Sequence, residues 1–210
     1  MKILAIEFSS DHRSVAVLDG ERLLAAQTVT EGRDTSAVAL IESALGDAKV
    51  DRVAIECIAV GVGPGSYTGI RAAIALTQGW QLAHGVKVLG VDSLDALAKG
   101  CQAAGRRGEI TLAVDAQRGE FYLAKFELSE EGIRSVDGMR LAKRSEYESL
   151  LAAGQPVNGP GLGDKFPVAE HVGRLAAGRS DFLEASELEP VYLRQVDFVK
   201  APPLRKIPPV

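Results

Sequence analysis

Two acids and one glycine-rich turn are the residues here whose types and spacing could do chemistry. Glu7 closes the run Ile3-Leu4-Ala5-Ile6-Glu7, and Asp115 closes Leu112-Ala113-Val114-Asp115. A carboxylate at the end of a buried strand can hold Mg²⁺ through water. It can also accept backbone N–H bonds from the turn that follows. Residues 61–71 read Gly-Val-Gly-Pro-Gly-Ser-Tyr-Thr-Gly-Ile-Arg. Backbone N–H groups in such a turn, ahead of a helix, can cradle phosphate; the same glycines can equally permit close packing. Two nucleotide fingerprints fail. The P-loop ends in Lys followed by Ser or Thr, and no Lys occurs between 61 and 71. The dinucleotide pattern, started at Gly63, meets Thr68 where a third small residue is needed.

Other chemistry is less legible. The three histidines, His12, His84 and His171, lie far apart and none has a second His at i+4, so no zinc or iron site is expected. Gly65-Ser66-Tyr67-Thr68-Gly69 does not fit the Gly-x-Ser-x-Gly nucleophile elbow, although a triad assembled from distant residues stays open. Cys57 and Cys101 fall inside apolar segments and read as buried thiols of a reducing cytosol.

The patterning around these residues defines the elements that must position them. Residues 3–7 read as a buried strand, 13–19 alternate apolar and polar, and Asp19-Gly20 is a hairpin signal into a third strand over 22–30, ended by Glu31-Gly32. Val38, Ile41, Ala44, Leu45 and Ala48 have helical spacing over 36–48, with Thr35 or Ser36 as cap. The apolar run 57–62 predicts a strand covered on both faces. The glycine-rich turn and a helix to about His84 follow, then a strand over 86–91 and a helix from Ser93, its cap, to about Gln102. The second half starts again at Leu112–Asp115, offset by close to half the chain. A turn at Gln117-Arg118-Gly119, strands over 120–127 and near 133–141, a helix over 145–153, a loop over 154–167 and a short helix over 168–177 complete it.

Three meandering strands followed by helix–strand alternation, twice, is the plan of the actin/sugar-kinase/Hsp70 class. This predicts an α/β fold of two duplicated ribonuclease-H-like lobes facing a cleft, with the second lobe truncated. The N-terminal lobe is assigned to 1–105, the smaller lobe to 106–199, and a Pro-rich extended tail to 200–210. On this plan Glu7 and Asp115 point toward the cleft.

The helix after the glycine-rich turn carries a second signal. Ala75, Gly79 and Ala83 recur every four residues and form a smooth stripe. Small residues at that spacing let another backbone approach closely. Ile70, Ile74, Thr77 and Gln81 occupy a different face, and Leu76 and Trp80 flank the stripe. Such a helix packs on more than one side, either within the monomer or against a second chain. Arg71, in its first turn, opposes the helix dipole by ~0.3–1 kcal/mol if exposed. Glu7, Asp92 or a partner's acid would offset it.

Composition narrows the function classes. The net charge is −4, and three of the cations, Lys200, Arg205 and Lys206, sit in the tail, so the body is more acidic still. With one Trp, four Tyr and six Phe, the chain lacks the material for a large basic, stacking nucleic-acid platform. No stretch approaches the ~18 apolar residues of a membrane span, and the apolar start before Glu7 is too short for a signal peptide.

Several blocks together resemble the TsaB (YeaZ) family. They are Ile3-Leu4-Ala5-Ile6-Glu7 with Ser14-Val15-Ala16-Val17, then Gly63-Pro64-Gly65-Ser66-Tyr67-Thr68-Gly69-Ile70-Arg71, then Ala113-Val114-Asp115-Ala116 with Arg118-Gly119-Glu120, and finally Glu189-Pro190-Val191-Tyr192-Leu193-Arg194. The resemblance runs from residue 1 to about 194. It implies a non-catalytic, actin-like pseudoenzyme in bacterial tRNA threonylcarbamoyladenosine synthesis. Such a chain is paralogous to TsaD, the subunit that transfers threonylcarbamoyl to the adenosine 3′ of the anticodon. It implies pairing with TsaD through the helices over 36–48 and 69–84, hence an interface of Ile41, Ala44, Leu45, Ala72, Ala75, Leu76, Gly79, Trp80 and Ala83. A homodimer is the implied alternative when TsaD is absent. The ATPase TsaE would dock on the pair, and tRNA would be met through the complex. This chain alone would bind no cofactor; ATP and metal belong to the partner subunits. Gly63, Pro64, Gly65, Ser66, Thr68, Gly69 and Arg71 would form the family's turn, Glu7 and Asp115 would be vestigial acids, and the protein would be cytoplasmic.

There are departures. The family usually has Asp-Thr-Ser/Ala where this chain has Glu7-Phe8-Ser9, often has a His near the position of Thr35, and is longer over 161–186. Two competing functions are a stand-alone ATP-dependent phosphotransferase with Glu7 and Asp115 on Mg²⁺, and a protease acting on the paralogue.

Overall fold

The computed structural model describes residues 1–30, 36–159 and 166–191. Glu31-Gly32, Thr35, Tyr192-Leu193-Arg194 and the Pro-rich tail lie outside the described residues, as do 160–165 of the loop.

Strands β1 (Lys2–Glu7), β2 (Arg13–Asp19) and β3 (Arg22–Val29) form the meander. Helix α1 (Ala37–Ala48), β4 (Cys57–Gly61), α2 (Tyr67–His84), β5 (Lys87–Val91) and α3 (Ser93–Ala103) follow. The sheet order is β3-β2-β1-β4-β5, with β4 parallel to β1 and to β5. Both faces of β1 are covered. Leu4 and Ile6 enter one core with α1 and α2, while Ile3 and Ala5 enter another on the opposite face. That explains an uninterrupted apolar run where a half-exposed strand would alternate.

The second half repeats the order in shortened form. Strands β6 (Gly108–Asp115), β7 (Glu120–Leu128) and β8 (Ile133–Lys143) form a meander, then α4 (Arg144–Ala152), β9 (Val157–Asn158) and α5 (Ala169–Ala176). The sheet order is β8-β7-β6-β9, and β9 lies parallel to β6 as β4 lies parallel to β1. The duplicated, truncated α/β plan is therefore visible in topology. β9 falls within 154–167, which the sequence reads as loop; two residues carry no periodicity.

Two helices tie the halves together. α3 places Ala96 in the core of the first sheet, and Leu94, Leu97, Ala98 and Cys101 in a core with Ile110, Leu112 and Phe126 of the second. α5 leaves its own sheet: Ala169, Val172 and Ala176 join the core of β1 and β2. A Cβ on Gly173 would overlap Leu18, so that glycine sets how closely α5 approaches. Ser14 Oγ accepts the Ala169 N–H at 2.8 Å and caps the helix from a neighbouring strand. The boundary at 105/106 is therefore no packing boundary, since 169–176 belong physically to the first sheet.

Candidate interaction surface

The glycine-rich turn lies backbone to backbone on the loop after β1. A Cβ on Gly65 would overlap the Ser9 carbonyl, and one on Gly69 the Phe8 carbonyl. Ser66 N–H donates to the Ser9 carbonyl at 2.6 Å. Gly63 and Gly65 have φ of 103° and 150°, which exclude most side chains; the Gly63–Pro64 peptide is cis. Ser66 caps α2, its Oγ accepting the Gly69 N–H at 3.3 Å. The space against Gly65 and Gly69 is filled by the protein's own backbone and that against Gly63 by the Ile70 side chain, the close-packing role of the turn. Thr68 and Arg71 are exposed on the first turn of α2. The Arg71 guanidinium lies 4.3 Å from the centroid of the Tyr67 ring. Glu7 and Asp92, expected to offset it, are bonded to Ser9, Ser93 and Leu94.

The faces of α2 separate cleanly. Ile70, Ala73, Ile74 and Thr77 are buried against the first sheet, and Thr77 Oγ1 donates to the Ala73 carbonyl at 2.9 Å. One flank is tied to a short 3-10 turn at Ala185–Glu187. Gln78 Nε2 donates to the Ala185 carbonyl at 3.1 Å, and Gln81 Oε1 accepts the Ala185 N–H at 2.7 Å. Ala75, Gly79 and Ala83 face outward, with Ala72 half-buried beside them. A Cβ on Gly79 would meet nothing within 4 Å. Leu82, on the same side, is 91% exposed. Leu76 and Trp80 are half-buried and pack against the core from the edge of the stripe.

Helix α1 corrects part of the expected interface. Ile41, Ala44 and Leu45 are buried in the first core and present nothing to a partner. A periodic apolar face on a surface helix is the face its own sheet covers. The outward side of α1 carries Val38, Ala39, Glu42, Ser43, Gly46 and Asp47.

The two acids sit in equivalent places and different surroundings. Glu7 is fully buried and lines no open cleft. One of its oxygens accepts the Ser9 N–H at 2.7 Å, the other the Ser93 hydroxyl at 2.8 Å. Burial pushes its pKa up, against the pull of those donors. Asp115 is exposed, and its Oδ1 accepts the Gln117 N–H at 2.7 Å. Each acid thus caps the turn after its strand. Asp92 caps α3 by accepting the Leu94 N–H at 2.7 Å, which corrects the expectation that Ser93 is the cap. Its pKa is pushed up to about 6, first by burial and then by Asp95. Among the described residues no three His, Cys, Asp or Glu converge as a metal site, and no helix is long and apolar enough to cross a membrane.

Known proteins place the chain. Residues 34–170 match the TsaD family model, described as tRNA N6-adenosine threonylcarbamoyltransferase. The tRNA threonylcarbamoyladenosine biosynthesis protein TsaB of Bacillus subtilis is 32% identical over 166 residues, which cover 72% of this chain and 70% of that protein. The chain belongs to the TsaB (YeaZ) family. The Escherichia coli TsaB is 30% identical over 134 residues, and the match spans 63% of this chain and only 58% of that relative's length. A solved structure of YeaZ from Pseudomonas aeruginosa superposes with a TM-score of 0.79 at 24% identity, covering 91% of this chain and 99% of that one. That likeness supports the fold. The glycine-rich block is thus the part of the sequence that packs the start of α2 onto the loop after β1, and the exposed side of α2 is what it leaves outside.

Proposed function

We propose that this chain is a scaffold subunit in tRNA threonylcarbamoyladenosine biosynthesis that clasps a TsaD-family threonylcarbamoyltransferase through the outward side of α2. The observation that carries this reading is the stripe Ala75, Gly79 and Ala83, open to solvent beside a Leu82 exposed to 91%. A facing helix can approach such a stripe closely enough for many weak dispersion contacts to sum. Covering Leu82 would add ~1.5–3 kcal/mol. Family membership supports the pathway, because the Escherichia coli and Bacillus subtilis relatives are named for it. On this reading the transferase makes the bonds and holds the metal, the ATPase TsaE docks on the pair, tRNA is met through the assembly in the cytoplasm, and the exposed α2 face can also pair two copies of this chain when the transferase is absent.

The test is reconstitution with a TsaD-family transferase from the same organism. Modification of tRNA by the transferase with TsaE should rise when this chain is added, and Gly79→Leu should lose the rise. A mixture no more active than transferase with TsaE alone contradicts the reading. Calorimetry of the isolated chain with MgATP should show no binding near micromolar strength, and binding at that strength would favour a phosphotransferase.

A further inference from the structure

Glu7 does more than close its own turn. Its two oxygens reach two different elements, the Ser9 N–H at 2.7 Å and Ser93 Oγ at 2.8 Å. Ser93 Oγ accepts the Gly63 N–H at 3.2 Å, and Ser93 N–H donates to the Gly63 carbonyl at 2.7 Å. The Ser9 carbonyl accepts the Ser66 N–H at 2.6 Å. The carboxylate lies against Gly61, where a Cβ would overlap it. One buried side chain therefore joins the end of β1, the end of β4, the first turn of α3 and both ends of the 63–66 turn that leads into α2. The bond that Asp115 makes stays within its own turn. That contrast separates the role of Glu7 from simple turn capping.

We propose that Glu7 is a positioning residue for α2. It holds Ser93 against Gly63 and Ser9 against Ser66, and so sets where the exposed helix begins and how its small-residue face is aimed. The effect on a partner rests on the scaffold reading above; the effect on the helix does not. A carboxylate accepts from both donors at once. A Gln of the same size accepts the Ser9 N–H with its oxygen and faces Ser93 Oγ with an N–H, so the Ser93 hydroxyl proton loses its charged acceptor at nearly constant volume. Ser93→Ala removes the relay to Gly63 from the other end.

Hydrogen exchange on the intact chain tests this. Wild type, Glu7→Gln and Ser93→Ala are compared at the Gly63 and Ser66 amides, with Thr77 in α2 and Leu123 in β7 as references. Both variants should exchange at least about tenfold faster at Gly63 and Ser66, with the references within about twofold. In parallel titrations both should bind the transferase paralogue more weakly, by about fivefold, with Gly79→Leu as the variant acting on the face directly. Unchanged exchange at Gly63 and Ser66 in both variants overturns the proposal, whatever the paralogue does. References that speed up equally also overturn it, since the loss is then global. Faster local exchange, in a protein whose wild type fails to bind the paralogue, upholds the positioning role and refutes the scaffold reading.

Discussion

Glu7 and Asp115 end equivalent strands of a duplicated fold, and each accepts an N–H from the residue two positions on. Around Glu7 the second βα alternation is complete, so α3 covers it and the glycine-rich turn closes beside it. Around Asp115 the copy stops at the two-residue β9, and α5 packs on the first sheet. Asp115 therefore stays exposed. The turn chemistry was kept in both halves, while burial and long-range bonding belong to one. The first half builds and orients an outward helix; from the second, α5 covers the opposite face of the same sheet.

The largest expected effect that would break this comparison is at the turns. Gly65→Ala must hold a φ of 150° and push a Cβ into the Ser9 carbonyl, and should cost about 3 kcal/mol or more. Gly119→Ala in the second half, at φ 76° with nothing near its Cβ, should cost about 1 kcal/mol. Urea melts of both variants check the ranking, and equal losses would show that the first turn is not tightly seated.

The acids come next. Glu7→Ala leaves the Ser9 N–H and Ser93 hydroxyl without their acceptor and opens a void, for a loss of about 2–4 kcal/mol. Asp115→Ala should lose under about 1 kcal/mol, because water replaces the bond. Similar losses in chemical denaturation would erase the distinction between the halves.

Asp92 sharpens the comparison through pH. Its folded pKa, about 6, lies above the ordinary 3.8, so the folded state binds the proton more tightly than the unfolded one. The ionised form is then penalised on folding. The penalty is absent below the unfolded value, grows between about pH 4 and 6, and is complete above that. Asp92→Asn keeps a helix cap and removes the charge. It should be more stable than wild type by on the order of 1–2 kcal/mol at pH 7 and equal to it near pH 4. A difference that does not change with pH would mean Asp92 is not desolvated.

Gly79→Leu has the smallest effect on the monomer. Its new side chain meets open space, and helix propensity favours it by roughly 0.5–1 kcal/mol. The transition should move slightly upward while affinity for a partner helix falls at least about tenfold. Opposite signs in two assays of one variant mark a surface position used in binding.

Much of this arrangement is legible in the sequence, for reasons that differ by element. The meander, β4 and β5 follow from strict alternation or continuous apolar runs. The stripe on α2 follows from residue size alone. Both acids accept an N–H from the turn that follows, one of the two roles open to a carboxylate at the end of a buried strand. Asp92 and Ser93 are adjacent residues that can both cap, and nothing local decides between them. The apolar face of α1 is plain in the sequence, but the sheet that covers Ile41, Ala44 and Leu45 is distant in the chain and leaves no local sign. The docking of α5 on the first sheet and the Glu7–Ser93 bond join residues far apart in the chain. No local period reports such pairings.

On the proposed scaffold reading, the outward face of α2 binds a TsaD-family transferase. Light scattering coupled to size exclusion, on this chain, the paralogue and their equimolar mixture, tests it most directly. A one-to-one species that forms with wild type and is lost with Gly79→Leu is the predicted result. A mixture that elutes as its separate components, or a complex indifferent to Gly79→Leu, contradicts it.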